Sequence, residues 1–383
     1  MNIFFHETNS NKYSINTLTR AVEDIENLKL YFFSNYKDIK NLIKKNDVIA
    51  FSFMTHNEDD EKKLAMTIEA EHYGIRLIAG GPAITDKNTD KFVQIFDNLF
   101  IGEGEEILRD FISGKIKKIA VNNQHVDINK YGSVSEKYKR FGSIEITRGC
   151  PYGCFYCETS NIMGKIQRHK RLELIRKEIE ILLRNNFKDI RFITPDLASY
   201  GSKDGITPDL KEFNRFVDMV CEIVKGRGRV FLGSFPSEIR PEHISDELCE
   251  ILKGRTSSKT IIIGAQSGSD EILKKINRRH SVDDVIKAVA TLVKYGFSVD
   301  VDFIFGFPFE TEETLNDTKK LITLLIQKYR ARIHIHYFMP LPSTPFENLT
   351  PKLLTKELRK YLSSLTSKKL AFGQWENQLG QKS

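Results

Sequence analysis

The chain has 383 residues, 40% apolar and 28% charged, with 58 Lys and Arg against 51 Asp and Glu for a net charge of +7. That length exceeds one ordinary core and suits two domains. No apolar run reaches the ~18 residues needed to span a bilayer, and Met1 leads into Ile3, Phe4 and Phe5 without the basic region or cleavage site of a secretory leader. The expectation is a globular, cytoplasmic protein with no membrane partner. The modest positive excess reads as a solvated surface rather than a nucleic-acid footprint, and the strongest basic run, Lys115 to Lys118, is short. Five cysteines, three of them within eight residues, make a poor disulfide framework and fit a reducing compartment. Cys221 and Cys249 fall in helical patterns and read as small buried apolar groups.

Residues 1–112 alternate strand-like runs (NIFF, LKLYFF, DVIAFSF, RLIAGG, NLFIGEG) with helical periods, which predicts an N-terminal doubly wound parallel sheet. Residues 113–141 have weak periodicity and polar clusters and are expected to be a linker. From 142 to 345 a second alternation runs through SIEIT, DIRFIT, RVFLGSF, TIIIGAQ, VDVDFIFG and RIHIHYFMP, with helical stretches between them. Six βα units predict a (β/α)6 partial barrel, whose chemistry belongs at the carboxyl ends of its strands. Residues 346–383 are expected to form a C-terminal helical extension.

Directly after the first barrel strand comes I-T-R-G-C-P-Y-G-C-F-Y-C, with Cys150, Cys154 and Cys157 spaced CxxxCxxC. Three thiolates on one loop can ligate three irons of a cubane and leave the fourth iron open. A structural zinc site needs four ligands, and no fourth Cys or His stands at ligand spacing; His169 is twelve residues past Cys157, in a basic stretch.

This segment resembles the signature of the radical S-adenosylmethionine (SAM) superfamily, which has an aromatic before the last cysteine, here Tyr156. The resemblance implies a [4Fe-4S] cluster on the three cysteines, SAM chelated at the open iron, an external electron donor, and reductive cleavage to a 5'-deoxyadenosyl radical. It continues along the barrel. Thr194, Pro195 and Asp196 occupy the place of the motif that meets the SAM amino group, though the sequence departs from the common Gly-Gly-Glu. S-F-P-S-E-I-R brings Ser234, Ser237, Glu238 and Arg240 to the barrel mouth. Gln266 and Ser267 stand where relatives often carry Glu-Ser, as a ribose contact that cannot serve as a base. D-F-I-F-G-F-P-F-E-T resembles D-x-I-x-G-x-P-x-E-T, with Gly306 and Pro308 suiting a tight turn under adenine. For Asp196, Glu238 and Gln266 a helix cap or loop hydrogen bond is an equal alternative. His334 and His336 share one strand face and read as core or barrel lining. The lone Trp375 is expected near the barrel mouth.

The first domain resembles the cobalamin-binding domain that precedes the barrel in one branch of that superfamily, on S-F-M-T (52–55), A-G-G-P (79–82) and I-G-E-G-E (101–105). The cofactor contacts implied are Ser52, Thr55, Gly80, Gly81, Gly102, Glu103 and Gly104; a phosphate or nucleotide site on the same fold is the alternative. The D-x-H-x-x-G that supplies histidine to cobalt is absent, which leaves Asn11, Tyr13 and Ser14 for the lower face and His6 as a weaker candidate.

The implied activity is that of a cobalamin-dependent radical SAM methyltransferase acting on an unactivated carbon, with methylcobalamin as donor and a protein or peptide as substrate. A compact chain of this kind resembles archaeal members, including the glutamine C-methyltransferase of methyl-coenzyme M reductase. The rival readings are a tRNA methylthiotransferase-like enzyme, a cobalamin-dependent radical cyclase or ring-contraction enzyme, and a non-catalytic cobalamin or metal sensor. Methylthiotransferases carry further cysteines in the first domain, whereas residues 1–149 here contain none.

Overall fold

The computed structural model describes residues 1–116, 118–122 and 124–380. Lys117 and Asn123 of the expected linker and residues 381–383 of the expected C-terminal extension lie outside the described residues. The chain divides into two compact units, one of residues 1–144 with 341–343, the other of 145–340 with 344–383. Among the described residues no helix is long and apolar enough to cross a membrane.

In the first unit the elements are β1 (Asn2–His6), α1 (Lys12–Val22), β2 (Lys29–Phe33), β3 (Val48–Ser52), α2 (Glu58–Glu71), β4 (Arg76–Gly80), β5 (Asn98–Ile101), α3 (Gly104–Ile112) and β6 (Ile119–Val121). All strand pairs are parallel and the order is β2-β1-β3-β4-β5-β6. Apolar residues run almost unbroken along the inner strands, as a sheet covered on both faces requires. Phe4, Ile49, Phe51, Leu77 and Leu99 pack on one side with Ala65 and Ile68 of α2. Ile3, Phe5, Val48, Ala50 and Ile78 pack on the other with Ile15 of α1 and Leu108 of α3. The chain reverses direction across the sheet between β1 and β3, which opens a crevice at their carboxyl ends.

Residues 113–141 differ from the expected linker. Their Ile119–Val121 is the sixth strand, and Val126, Ile128 and Val134 are buried. The period is weak because the segment is pinned by polar groups: both Glu103 carboxylate oxygens face it, one toward His125 at 3.2 Å and one accepting from the Val126 amide.

The second unit begins with short strands β7 (Ile144–Glu145) and β8 (Thr147–Arg148) and continues with α4 (Thr159–Ile162), β9 (Arg168–His169), α5 (Leu172–Arg184), β10 (Asp189–Ile193), α6 (Leu210–Val224), β11 (Arg229–Phe231) and α7 (Asp246–Leu252). Then follow β12 (Thr260–Gln266), α8 (Asp270–Lys275), α9 (Val282–Lys294), β13 (Ser298–Phe305), α10 (Glu312–Tyr329), β14 (Arg332–Tyr337), α11 (Lys356–Ser367), β15 (Ala371–Phe372) and α12 (Trp375–Gly380). Three strands order as β11-β10-β7 and four as β12-β13-β14-β15; a bridge between Ile239 and Ile263 joins the two sets. The (β/α)6 partial barrel is therefore present, and the tail adds one short parallel strand to it. The extension is thus not purely helical, because Ala371 and Phe372 pair beside Ile333 and His334. Helix α5 shows why the outer layer docks: Ile175, Ile179 and Leu182 fall at i, i+4 and i+7 and are fully buried. Trp375 is also buried, in the short helix that packs on β14.

Gly81 follows β4 with φ +104°, and a Cβ there would meet the Phe53 carbonyl oxygen at 2.6 Å and its nitrogen at 2.7 Å. Gly81→Ala is expected to destabilise the first unit by about 1–3 kcal/mol from backbone strain alone, with the clash adding to it. Gly80→Ala, whose Cβ would lie 3.3 Å from the Phe100 carbonyl, should cost clearly less. Denaturant unfolding of the pair checks the ranking; equal midpoints would contradict it.

Candidate functional site at the carboxyl ends of the barrel strands

The cysteine loop has almost no regular structure, so its backbone polar groups must be satisfied from outside. The Cys150 amide donates to the Gly164 carbonyl at 2.9 Å and the Phe155 amide to the Ile276 carbonyl at 3.1 Å. Asn277 donates to the carbonyls of Tyr152 and Gly153 at 3.0 and 2.8 Å, and Ser160 donates to the Cys150 carbonyl at 2.7 Å. All three loop cysteines are free thiols. Burial pushes the Cys150 and Cys157 thiols above their ordinary value, so holding thiolates here requires positive charge close by. Arg278 lies 3.8 Å from the Cys154 sulfur through one nitrogen, while another donates to the Gly264 carbonyl at 2.9 Å. Three thiols on one loop with a guanidinium against one sulfur can each ligate a separate iron of a cubane. The donor set fits an iron-sulfur cluster.

Behind this loop runs a polar chain. The Tyr152 hydroxyl lies 3.0 Å from His243 Nε2, and His243 Nδ1 lies 2.7 Å from Asp196 Oδ2. The Arg240 guanidinium stacks 3.5 Å from the Tyr152 ring centroid. Burial alone would lower the His243 pKa, but the Asp196 charge and hydrogen bond outweigh it and hold the imidazole above its ordinary value.

The structure corrects several sequence-based expectations. Asp196 is 2% exposed, and its other oxygen accepts from the Arg240 amide at 2.9 Å. It orders the loops after two strands instead of presenting an open carboxylate to an ammonium. Thr194 is turned onto the Asp196 carbonyl at 2.9 Å. Ser267 is buried, 3.4 Å from the Thr318 hydroxyl, and accepts from the Ser269 amide, so it is a loop staple and not an open ribose contact. Ser234 pairs with Ser258 at 3.1 Å. Gln266 remains partly exposed at a left-handed φ of 67°, beside the register shift that ends β12. Tyr156 packs edge-on to Phe307, 6.1 Å between centroids. Glu238 is largely shielded, and burial, with the Asp302 charge adding to it, lifts its carboxyl to about 7. Asn277, Arg278 and His243 were missed from sequence. For Asn277 and Arg278 the signal was present in the polar run N-R-R-H at 277–280.

In the first unit the expected cofactor residues gather at the carboxyl edge of the sheet, but not all are available. Asn11 is 3% exposed and is consumed as a clasp over the crevice, donating to the His6 and Ser52 carbonyls at 2.9 and 2.8 Å and accepting from the Thr8 amide. His6 is fixed by Glu61 at 2.7 Å. The buried Glu103 is committed to residues 125–126 as described above. Tyr13 accepts from the Ser143 hydroxyl at 3.4 Å, whereas Ser14 and Thr55 are exposed. Gly81 and Gly102 hold left-handed backbones, and Gly80 and Gly104 flank them. A cavity of about 400 Å³ sits at the crevice, lined by Thr8, Ser10, His56, Asn57, Asp60 and Leu64 with the His6–Glu61 pair. Its polar lining comes from the loop after β1, from His56 and Asn57 ahead of α2, and from the first turn of α2. Left-handed glycines and a polar crevice at a topological switch point suit a large polar cofactor lying against backbone.

Residues 144–322, the partial barrel with the three cysteines on the loop after its first strand, match the sequence model of the Radical SAM superfamily. Such a domain works with a [4Fe-4S] cluster and SAM. An uncharacterised protein of Methanocaldococcus jannaschii is 26% identical, over 82% of this chain and 72% of its own length. The threonylcarbamoyladenosine tRNA methylthiotransferase MtaB of Thermotoga maritima is 29% identical over 62% of this chain, which spans about half (52%) of that protein. Among solved structures, the radical S-adenosylmethionine methyltransferase TsrM from Kitasatospora setae, with cobalamin and a [4Fe-4S] cluster bound, aligns with a TM-score of 0.69. It covers 90% of this chain and 73% of that one at 14% identity, a likeness of fold.

In the turn after β13, Glu310 accepts from the Gly306 amide at 2.8 Å, and burial outweighs this and nearby Lys352 to lift its carboxyl to about 7. The folded chain therefore holds this proton more tightly than the unfolded chain. The stability it contributes is complete below the ordinary value of 4.5 and is lost as pH rises through about 7. Glu310→Gln should thus gain melting temperature relative to the wild type between pH 4.5 and 7, with the difference level above that; a pH-independent difference would refute the assignment.

Proposed function

We propose that the chain is a cobalamin-dependent radical SAM methyltransferase, acting on an unactivated carbon. The observation that carries this reading is the pairing, in one chain, of a desolvated three-thiol loop at the mouth of a radical SAM barrel with a doubly wound unit that has left-handed glycines after β4 and β5 and a polar crevice at its switch point. Support comes also from the fold shared with a methyltransferase whose structure holds both cofactors.

Cys150, Cys154 and Cys157 would hold the cluster, and Gly81, Gly102 and the crevice at the ends of β1 and β3 would receive the corrinoid. When bound, the cluster would supply the electron that cleaves SAM and the corrinoid the methyl group. The chain's own part is positional and electrostatic. Asn277 and the Ile276 carbonyl fix the loop backbone, and Arg278 opposes the thiolate charge. Glu310 closes the Gly306 turn over the phenylalanine layer formed by Phe307, Phe338 and Phe346. The finer reading, a carbon of a protein or peptide such as the glutamine of methyl-coenzyme M reductase, rests on the sequence resemblance. The identity with tRNA methylthiotransferases favours a second reading, sulfur insertion into tRNA; the absence of cysteine from residues 1–149 weighs against it.

Anaerobic protein prepared with cobalamin is expected to contain about four irons and one corrin per chain, to form 5'-deoxyadenosine on reduction with SAM, and to add one methyl mass to a peptide bearing the target glutamine. Cys157→Ala should lose iron and bring 5'-deoxyadenosine down by at least ~100-fold, the scale of losing an essential group. Iron with no corrin would leave a radical enzyme without this methyl donor; no 5'-deoxyadenosine from the loaded wild type would sink the proposal.

A further inference from the structure

Strands β13 and β14 alternate cleanly. Val301, Phe303 and Phe305, with Ile333, Ile335 and Tyr337, are buried on the face that meets the outer helices, so Asp302, Ile304, His334 and His336 line the opposite, concave face. The parallel register sets Asp302 beside His334 and Ile304 beside His336. His334 Nδ1 lies 3.0 Å from Asp302 Oδ1, and His336 Nε2 lies 4.0 Å from the same oxygen. The three ligand atoms are all within 4.8 Å of one another, and this is the trio of His, Cys, Asp or Glu found so disposed among the described residues.

The surroundings favour a cation. The His334 ring is clamped against Phe372 of β15, 4.4 Å between centroids and 4° from parallel, which fixes its nitrogens in space. Arg332, one register step toward the strand starts, is held bidentately by Asp300 at 2.7 and 3.0 Å, so its charge is taken. Glu238, from the loop after β11, is near enough to feel the charges of both Asp302 and His334. Asp302 therefore faces two imidazoles. The trio remains accessible, with side-chain exposures of 18, 29 and 33% for Asp302, His334 and His336.

We propose that Asp302, His334 and His336 form a site for one divalent first-row transition-metal ion inside the barrel, separate from the cysteine loop. Metal–ligand bonds of about 2.0–2.1 Å put neighbouring ligand atoms roughly 3.0–3.4 Å apart. The His334–Asp302 spacing already meets this, and side-chain rotation of His336 closes the remainder. Two histidines and one carboxylate on adjacent strands leave coordination positions open on one side. That side faces the barrel interior, where an oxygen donor of a substrate, such as a carboxylate, hydroxyl or amide, would complete the shell. The assignment does not depend on which group the enzyme transfers.

The test uses the full chain with its cluster loaded, prepared without corrin so that added cobalt is the only cobalt present. Equilibrium dialysis against Co2+ is expected to give one bound ion per chain, and X-ray absorption at the cobalt edge should show nitrogen and oxygen neighbours with imidazole scattering and no sulfur. His334→Ala and His336→Ala should each weaken binding about tenfold or more, and Asp302→Asn should do the same with less disturbance of packing. Iron content and melting temperature, read on the same samples, report whether each variant folds. Absence of a bound ion, sulfur in its shell, or equal binding by folded variants would overturn the site. The absorption spectrum of the wild type decides the ligand set even if a variant fails to fold.

Discussion

The second unit depends on one solution to a backbone problem. The loop that presents three thiols is neither helix nor strand, so the carbonyls and amides of residues 150–157 need partners that regular structure would have provided. They are supplied from the stretch after α8: Ile276 accepts with its carbonyl, Asn277 uses both amide hydrogens, and Arg278 reaches the Cys154 sulfur. Each neutral bond is worth roughly 1 kcal/mol, but together they remove the conformational freedom of a segment whose sulfurs must be held against desolvation. The remaining features of the mouth are arranged behind that anchor. Tyr152 joins it to the His243–Asp196 pair, and Arg240 lies across the Tyr152 ring.

The architecture was legible in the sequence because its period was strong. Alternating βα units and the CxxxCxxC after a strand specify both where the barrel begins and which loop carries the thiols. What could not be read was the fate of individual polar residues. Asn11, Glu103, Asp196 and Ser267 stand where cofactor contacts were expected, and each is spent on buried backbone or a buried partner. A buried polar atom must be paired, and a sequence shows the polar atom without showing which distant amide it pairs with. Asn11 meets Ser52 across 41 positions and Asp196 meets Arg240 across 44, separations no local pattern encodes.

The same constraint explains why the expected linker became part of a sheet. Glu103 is buried, and its two oxygens take His125 and the Val126 amide. Once those bonds fix residues 125–126, Ile119–Val121 can pair with β5, although the strand is only three residues long with little of it buried. A hydrophobic period is a poor guide to such a strand, because side chain to backbone bonds hold the flanking segment.

Viewed in charge, the mouth and the concave wall of the barrel are built differently. At the mouth, Arg278 lies against the Cys154 sulfur, and Asp196 keeps His243 basic behind the loop. On the concave wall the order is reversed: Asp302 faces two imidazoles, and the guanidinium on that face is occupied by Asp300. Histidine suits this wall because it can neutralise a carboxylate as a cation or join it as a neutral ligand. Reading His334 and His336 only as lining accounted for their period of two. It did not account for their register beside Asp302, which is set by strand pairing and makes the wall of this barrel chemically competent.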